Sequence, residues 1–385
     1  MLYILSGIKR SENQWVYRIV DSVKKLLIQK RIDFIESSNI DETVKKCAET
    51  AGIIMLPLSM NSDTLDIVKH CSREGVQVIL PNAILSSGEQ YRCHCIQGDI
   101  YGTVSNIIKT FKANEKPRIA LYGPNGNSQN DMVLVDAYMS RMGKEQSAVF
   151  YNEGGSFKES YEAFCRESEF DAVICANDYV AYHLIENLER DNPEYLDKLS
   201  VISFSNTMLS KLCRRPFTSL DLDLVSIANA VADIYRMVNK EKKYYRGVTV
   251  YVDYHVHERE TTKGISFKNI RSSIETDDTG YPSVPPYNVA KIYDSSYEIS
   301  RLANIDLTLN KLSKGDLWIL SYVLKKYTRT QISEASYLSL EAVNYHLKKM
   351  REAFGCRTTN EMYEKLNPVL SAEYIENFLR ESQSL

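Results

Sequence analysis

The sequence predicts two α/β lobes in tandem, each built on a doubly wound parallel sheet, followed by an all-α module of short helices. Three observations carry that expectation. Short apolar runs alternate with amphipathic helical stretches from the first residues to about 264, the alternation falls into two successive series, and from Asp306 onward only helical periodicity remains. A strand followed by an amphipathic helix, repeated, makes βαβ units whose strands pair in parallel and are covered on both faces.

The first series runs "LYILSG" then "VYRIVDSVKKLLIQKR", "AGIIMLPL" then "DTLDIVKHCSREG", and "VQVILPN" then "YGTVSNIIKTFKAN". The second begins near "PRIALYGPN" and continues through "DMVLVDAYMSRMG", "AVFYN", "SYEAFCRES", "FDAVICAND", "YVAYHLIENLERD" and "LSVISFSN". The expected lobes cover about residues 1–115 and 116–264, with crossover strands between them. Ligands of such sheets sit outside the carboxyl ends of the strands, so loops beginning at Gly7, Pro57, Gly123, Asn177 and Ser205 should surround the crevice between the lobes.

After "YYRGVTVYVDYHVHERETTKG" the composition changes to "SSIETDDTGYPSVPPYNVAKIYDSS", rich in Ser, Thr, Asp, Pro and Gly, which predicts a linker over 265–305. The region 306–385 then reads as successive short helices, "DLWILSYVLKKY", "TQISEAS", "LEAVNYHLKKMREAFG" and "TNEMYEKLN", with a further helical extension. Gly355 is placed to end one of them as a C-cap residue. In "LSLEAVNYHLKKM", Leu340, Val343, Leu347 and Met350 share one helical face and Asn344, Tyr345 and Lys348 share another.

At 385 residues the chain is long enough for two or three domains, each with its own core. A hydrophobic fraction of 44% and a net charge of -3 fit a soluble globular protein and point to no partner by themselves. No run approaches the roughly 20 apolar residues that span a bilayer, and the opening is too short and polar for a secretory signal, so a cytoplasmic protein is expected. The cysteines have no repeating spacing and several lie in apolar runs, which predicts reduced, buried thiols. Cys93, His94 and Cys95 alternate along a strand and lack the spacing of a zinc site; His255 and His257 can share a strand face but have no visible third ligand. No metal or cofactor is expected. "GPNGN" at 123–127 lacks the Lys-Ser/Thr ending of a phosphate loop, and no Ser, His and acid cluster is legible, so nothing argues for catalysis.

From "DAVICANDYVAYHLIENL" through "FTSLDLDLVSIANAVADIYRMV" to "HERETTKG", the sequence resembles the effector domain of LacI/GalR-type regulators, over about residues 1–264. The resemblance implies the periplasmic-binding-protein fold and a small-molecule effector, sugar-like or nucleoside-like, in the interlobe cleft. Asn177 and Asp178 begin a helix after a buried strand, where Asp178 can cap free amides and Asn177 offers a donor and an acceptor to the cleft, ligand contact and loop structure explaining it equally. Trp15, with Gln14 beside it, falls where the family often sets an aromatic against its ligand. Two departures stand out: Leu134 replaces the family's arginine, and Ser205 its carboxylate. Asn130, Asp131, Asn206 and Asp99 are the candidate replacement contacts, each equally explained by loop solvation.

Residues 312–366 resemble the LuxR/GerE-type helix-turn-helix module without a gap. The family's Leu-Thr, Arg-Glu and Val-Leu are met by Leu312 and Ser313, Gly315 and Asp316, and Ile319 and Leu320; its Glu-Ile-Ala by Gln331, Ile332 and Ser333; its Ser-x-x-Thr-Val-x-x-His by Ser339, Ala342, Val343 and His346. The resemblance implies binding to double-stranded DNA, with Asn344, Tyr345 and Lys348 in the major groove and Thr328, Arg329, Ser339, Glu341, Lys349 and Arg351 around them. His346 is expected to support the fold or a phosphate. Between 316 and 357 the basic residues Lys325, Lys326, Arg329, Lys348, Lys349, Arg351 and Arg357 outnumber Asp316, Glu334, Glu341 and Glu352, which suits a phosphate backbone. Gly315, Gln331 and Ala353 replace an arginine, a glutamate and a lysine of the family, removing ion pairs and one phosphate contact.

LacI-type regulators carry their reader ahead of the sensor, whereas here the first strand follows Met1 directly, so the reader is expected at the other end of the chain. Together the two resemblances predict a ligand-responsive transcriptional regulator acting as a homodimer, away from membranes. In that scheme effector closure of the lobes alters dimer packing and, through the linker, the spacing of two recognition helices. The competing reading is a DNA-binding protein whose α/β domain only dimerises or recruits a partner.

Overall fold

The computed structural model describes residues 1–381 apart from 6–13, 58–61, 82–90, 92, 127, 144, 153–156, 168, 241–246 and 268–296. In chain order the first α/β unit contains β1 (Leu2–Leu5), α1 (Gln14–Gln29), β2 (Phe34–Ser37), α2 (Ile40–Thr50), β3 (Ile53–Met55), α3 (Ser62–Arg73), β4 (Gln77–Leu80) and β5 (Cys93–Gly98). The second contains α4 (Ile100–Ala113), β6 (Ile119–Tyr122), α5 (Gln129–Met142), β7 (Ala148–Phe150), α6 (Phe157–Arg166), β8 (Ala172–Cys175), α7 (Asp178–Asp191), α8 (Pro193–Leu196), β9 (Ser200–Phe204), α9 (Met208–Leu212) and β10 (Thr218–Leu222). Then come α10 (Leu224–Lys240), β11 (Thr249–Val252) and β12 (Tyr254–His257).

The strands form two sheets, β11-β5-β4-β3-β1-β2 and β12-β10-β9-β8-β6-β7. Every pairing in the first is parallel, and the second departs only where β12 runs antiparallel to β10. The central strands LYIL, IIM and AVIC are buried throughout, as strands covered on both faces must be. This is a two-lobed α/β architecture.

The chain passes between the sheets three times: from β5 into α4, which packs on α5; from β10 into α10, which packs on α1 through Ile227, Val231 and Ile234 against Ile19 and Val23; and from β11 into β12. The crossings are tied together, with Asp99 N donating to Val252 O at 3.1 Å and Asp223 N to Asp253 O at 3.4 Å. At the first crossing a Cβ on Gly98 would lie 2.3 Å from the Tyr254 ring, so only glycine lets the strands approach this closely.

The carboxyl-terminal part is wholly helical: α11 (Tyr297–Leu309), α12 (Lys314–Leu324), α13 (Arg329–Ser336), α14 (Leu340–Ala353), α15 (Thr359–Leu366) and α16 (Ala372–Glu381). Helix α11 starts ahead of Asp306 because Leu302 and Ile305 bury against the second lobe, and Ile265 and Phe267 are likewise packed into that lobe, so only 268–296 separates the described parts. One continuous core runs from Tyr122, Phe164, Leu184 and Leu209 of the second lobe into Leu302, Leu320, Leu347 and Ile375 of the helices. None of the eight cysteines is paired; Cys165 is exposed and the others are buried. No helix among the described residues is long and apolar enough to cross a membrane.

Candidate functional site

The loops at the carboxyl ends of β8, β9 and β10, with the first turns of α4 and α5, line a cavity of about 270 Å³ on the second lobe. Its walls are apolar at Ile100, Leu134, Phe204, Leu220, Leu222 and Tyr254 and polar at Asn130, Asp131, Asn177, Ser205 and Asp221. Asn177 is the N-cap of α7: its Oδ1 accepts from Tyr179 N at 3.0 Å and Val180 N at 3.1 Å. One side chain therefore caps the helix and lines the cavity, so the two readings of Asn177 are compatible. Asp178 lies behind it, fully buried, accepting from Ser203 and Ser219 hydroxyls at 2.5 Å, from Thr207 N at 2.7 Å and from Thr207 Oγ1 at 2.8 Å.

Asn130 is exposed at the cavity edge, and the next residue, Asp131, accepts from Asn125 N at 2.9 Å. Burial pushes the Asp131 carboxyl up to about 6 despite the bonds from Asn125 and Ser128. Asp99 is spent as the N-cap of α4, accepting from Gly102 N at 2.9 Å, and is not part of the cavity wall. Asn206 is buried behind Ser205: its Oδ1 accepts from Arg259 at 2.5 Å and its Nδ2 donates to Asp221 at 3.1 Å. Gln14 and Trp15 open α1, and their side chains fall outside the described residues.

Asp221 and Arg18 have no counterpart in the sequence expectations, where His257 figures only as a candidate metal ligand. Asp221, on β10 of the second lobe, receives Arg18 Nη2 from α1 of the first lobe at 2.9 Å and shares its other oxygen with His257 Nε2 at 2.8 Å. Burial alone would raise the Asp221 carboxyl, but the His257, Asn206 and Arg18 bonds outweigh it and hold the group down at about 2. Arg18 also donates to Ser205 O at 3.5 Å, so a protein ion pair spans the cleft. Only the acidic run in "FTSLDLD" hinted at Asp221, because its partners lie far away in the chain. His94 Nε2 donates to Gln77 Oε1 at 2.7 Å, and among the described residues no cluster of three or more His, Cys, Asp or Glu could hold a metal.

In the helical part, α13 and α14 are joined by a turn with Tyr337 in the left-handed region at φ 57°. Thr328 caps α13 in a reciprocal box with Gln331, and Ser339 caps α14 by accepting from Ala342 N at 3.2 Å. Val343, Leu347 and Met350 are buried against α12, so Asn344, Tyr345 and Lys348 face solvent, with Arg329 and Glu341 also exposed. The rear of α14 is fixed by the fully buried Asp316, which accepts from His346 Nδ1 at 2.7 Å and from Lys349, so both of these act inside the fold. Arg351 is engaged with Leu347 O at 3.3 Å and Arg357 O at 2.9 Å.

Residues 108–262 match the model of the periplasmic binding protein-like domain. No curated protein matches the chain. Among solved structures, the transcriptional regulator CelR in complex with cellobiose is 15% identical with a TM-score of 0.53, covering 68% of this chain and 83% of its own. The Lac repressor bound to ONPG in the repressed state is 14% identical with a TM-score of 0.51, covering 68% and 81%. A LacI-type putative transcriptional regulator from Bacillus cereus subsp. cytotoxis NVH 391-98 is 15% identical with a TM-score of 0.50, covering 69% and 98%. At such identities the likeness is one of fold: the two-sheet part of the chain is a two-lobed, periplasmic-binding-protein-like domain with regulators of the LacI family among its structural neighbours.

Proposed function

We propose that this chain is a ligand-responsive DNA-binding transcriptional regulator in which a small molecule in the interlobe cleft controls a carboxyl-terminal helix-turn-helix of the LuxR/GerE type. The observation that carries the reading is the joining, over one continuous core, of a lined second-lobe cavity beside the interlobe Arg18–Asp221 pair to a helix whose outward face is Asn344, Tyr345 and Lys348. Asn344 suits an adenine edge, Tyr345 a thymine methyl or a phosphate, and Lys348 guanine or phosphate. Neighbours of the same fold were solved with cellobiose, with ONPG, and as a dimer on operator with the anti-inducer ONPF. By analogy the effector is sugar-like or nucleoside-like, the acting species is a homodimer on double-stranded DNA, and the compartment is the cytoplasm. A cavity of about 270 Å³ suits a small metabolite, lying below the roughly 300–1,000 Å³ of drug-sized pockets.

The test is selection of a binding site from random duplex DNA by the full chain, followed by titration at several salt concentrations. Lys348→Ala should weaken binding broadly and reduce the salt slope by about 1, whereas Asn344→Ala should relax base preference at one position. A chain that selects no sequence sinks the reader assignment. A small molecule that saturates the cleft without changing operator affinity sinks the coupling.

One observation favours the second reading, in which the α/β domain binds no effector and only dimerises or recruits a partner. The Arg18–Asp221 pair already bridges the lobes, and Leu134 and Ser205 replace polar anchors of the resembled family. A thermal-shift screen of sugars, nucleosides and amino acids separates the two, since an effector raises stability by mass action and an idle cleft gives a flat response.

A further inference from the structure

The helical module grips α9 at both ends. At its start, the fully buried Asp306 of α11 accepts from Leu209 N at 2.9 Å. At its end, Ser371 N donates to Leu212 O at 2.9 Å, and Cys213 forms an antiparallel bridge with Leu370. Leu209 and Leu212 lie in the same core as Leu302, Ile305 and Ile375, so apolar packing reinforces both grips. A five-residue helix has little intrinsic stability, and its position is set by what holds it.

The other attachment of α9 is the cleft. The three residues that lead into it from β9 include two non-glycine residues at positive φ, Ser205 at 117° and Asn206 at 43°. Such backbone is costly for residues with a side chain and persists only where the surroundings over-determine it. Here Ser205 N donates to Leu220 O at 2.6 Å, Asn206 N to Ser219 Oγ at 2.9 Å and Thr207 N to Asp178 Oδ2 at 2.7 Å. Ser205 lines the cavity, and the Asn206 amide shares Asp221 Oδ2 with Arg18 of the opposite lobe. A group that replaces Arg18 on Asp221, or presses on Ser205, therefore acts on the backbone entering α9.

We propose that residues 205–207 and α9 are the joint that couples the interlobe cleft to the carboxyl-terminal helices: exchanging the Arg18–Asp221 contact shifts the loop, and α9 carries the helical module with it. The signal then runs through the docked face of the second lobe rather than through the segment joining the two parts. The regulatory meaning rests on the ligand-responsive reading above, whereas the mechanical link is measurable without DNA or effector.

In the full chain, Arg18→Gln and Asp221→Asn each break the interlobe pair, from opposite lobes, so a folding defect in one does not remove the test. Amide exchange followed by mass spectrometry is expected to rise by about threefold or more in α9 and α11 in both variants, with α12 to α15 unchanged. Lys24→Gln, which breaks the 2.5 Å pair of α1 with Glu36 inside the first lobe, should leave α9 and α11 at the wild-type rate. Wild-type exchange in α9 and α11 of both cleft variants, or an equal rise in Lys24→Gln, overturns the joint. DNA affinity is read separately on the same proteins. A wild-type chain with no DNA affinity sinks the regulator reading and leaves the exchange result standing, whereas altered exchange with operator affinity within twofold of wild type overturns transmission to the reader.

Discussion

Asp178 and Asp306 are both fully buried carboxylates, and their partners give them different consequences. Asp178 has four donors within 2.8 Å, while Asp306 has Leu209 N at 2.9 Å and the Asn310 amide at 3.4 Å. Burial pushes the Asp306 carboxyl up to about 6, Asp178 adds to the rise, and the Leu209 and Met208 amides with Lys211 offset only part of it; Tyr179 of α7 faces the same group. An acid whose pKa is raised on folding binds its proton more tightly in the native state. Stability should therefore fall as pH climbs from about 4 to 6 and level off above, by on the order of 3 kcal/mol for this group. Asp306→Asn keeps an acceptor for Leu209 N and should flatten that dependence, which urea titrations at pH 4, 5, 6 and 7 would read; an identical slope in the variant counts against the assignment. A cap at the start of α7 was legible because its partners are two and three residues away. The sequence reading assigned that cap to Asp178, whereas Asn177 holds it and Asp178 turns inward to Ser203, Thr207 and Ser219. Asp306 and Asp221 were not legible, because their decisive partners lie 97 and 203 positions distant, where local pattern has no reach.

At the scale of elements, α14 is held by two kinds of contact with separate roles. Val343, Leu347 and Met350 supply the apolar burial, as their spacing predicted, whereas Leu340 of the same expected stripe is 48% exposed. Asp316 supplies the orientation: it caps α12 with Ser313 and reaches across to His346 and Lys349 of α14. Burial works against the charge, but the Lys349, His346 and Ser313 bonds hold this carboxyl well below the usual carboxylate range. Asp316→Ala should cost about 2–3 kcal/mol, since it removes the acceptor of four donors, and on the proposed reading should weaken DNA binding through misplacement of α14. Lys348→Ala, on an exposed side chain, should change stability by no more than about 0.5 kcal/mol. Urea midpoints of the two variants decide whether Asp316 holds α14 in place: a loss no larger than that of Lys348→Ala counts against it. The sequence reading assigned Lys349 to DNA from charge and position; its engagement with Asp316 depends on helix crossing, which a one-dimensional pattern does not contain. The start of α11 was hidden for the same reason, since Leu302 and Ile305 find their partners in another lobe.

At the scale of the molecule, the division of cores does not follow the division into sheets and helices. The first lobe has its own cores around Ile4, Ile19 and Val231, and around Leu5, Ile54 and Val78. The second lobe has one core of its own around Phe111, Ile174 and Leu220 and shares another with the helices, with α9, α7 and α11 in direct contact and Tyr182 OH donating to Pro368 O at 3.5 Å. Units that share a core unfold together, because opening one exposes the apolar surface of the other. Ile305→Ala, at a buried α11 position facing the second lobe, should cost about 2–4 kcal/mol. If the core is shared, that loss lowers the unfolding of β8 and β9, read by amide exchange, as much as that of α12, read by Trp318 fluorescence, and leaves the first lobe almost unmoved. A helical module that merely hung from a tether would instead lose its own stability while β8 and β9 stayed at wild-type protection. The two outcomes thus decide whether the second lobe and the carboxyl-terminal helices move as one body.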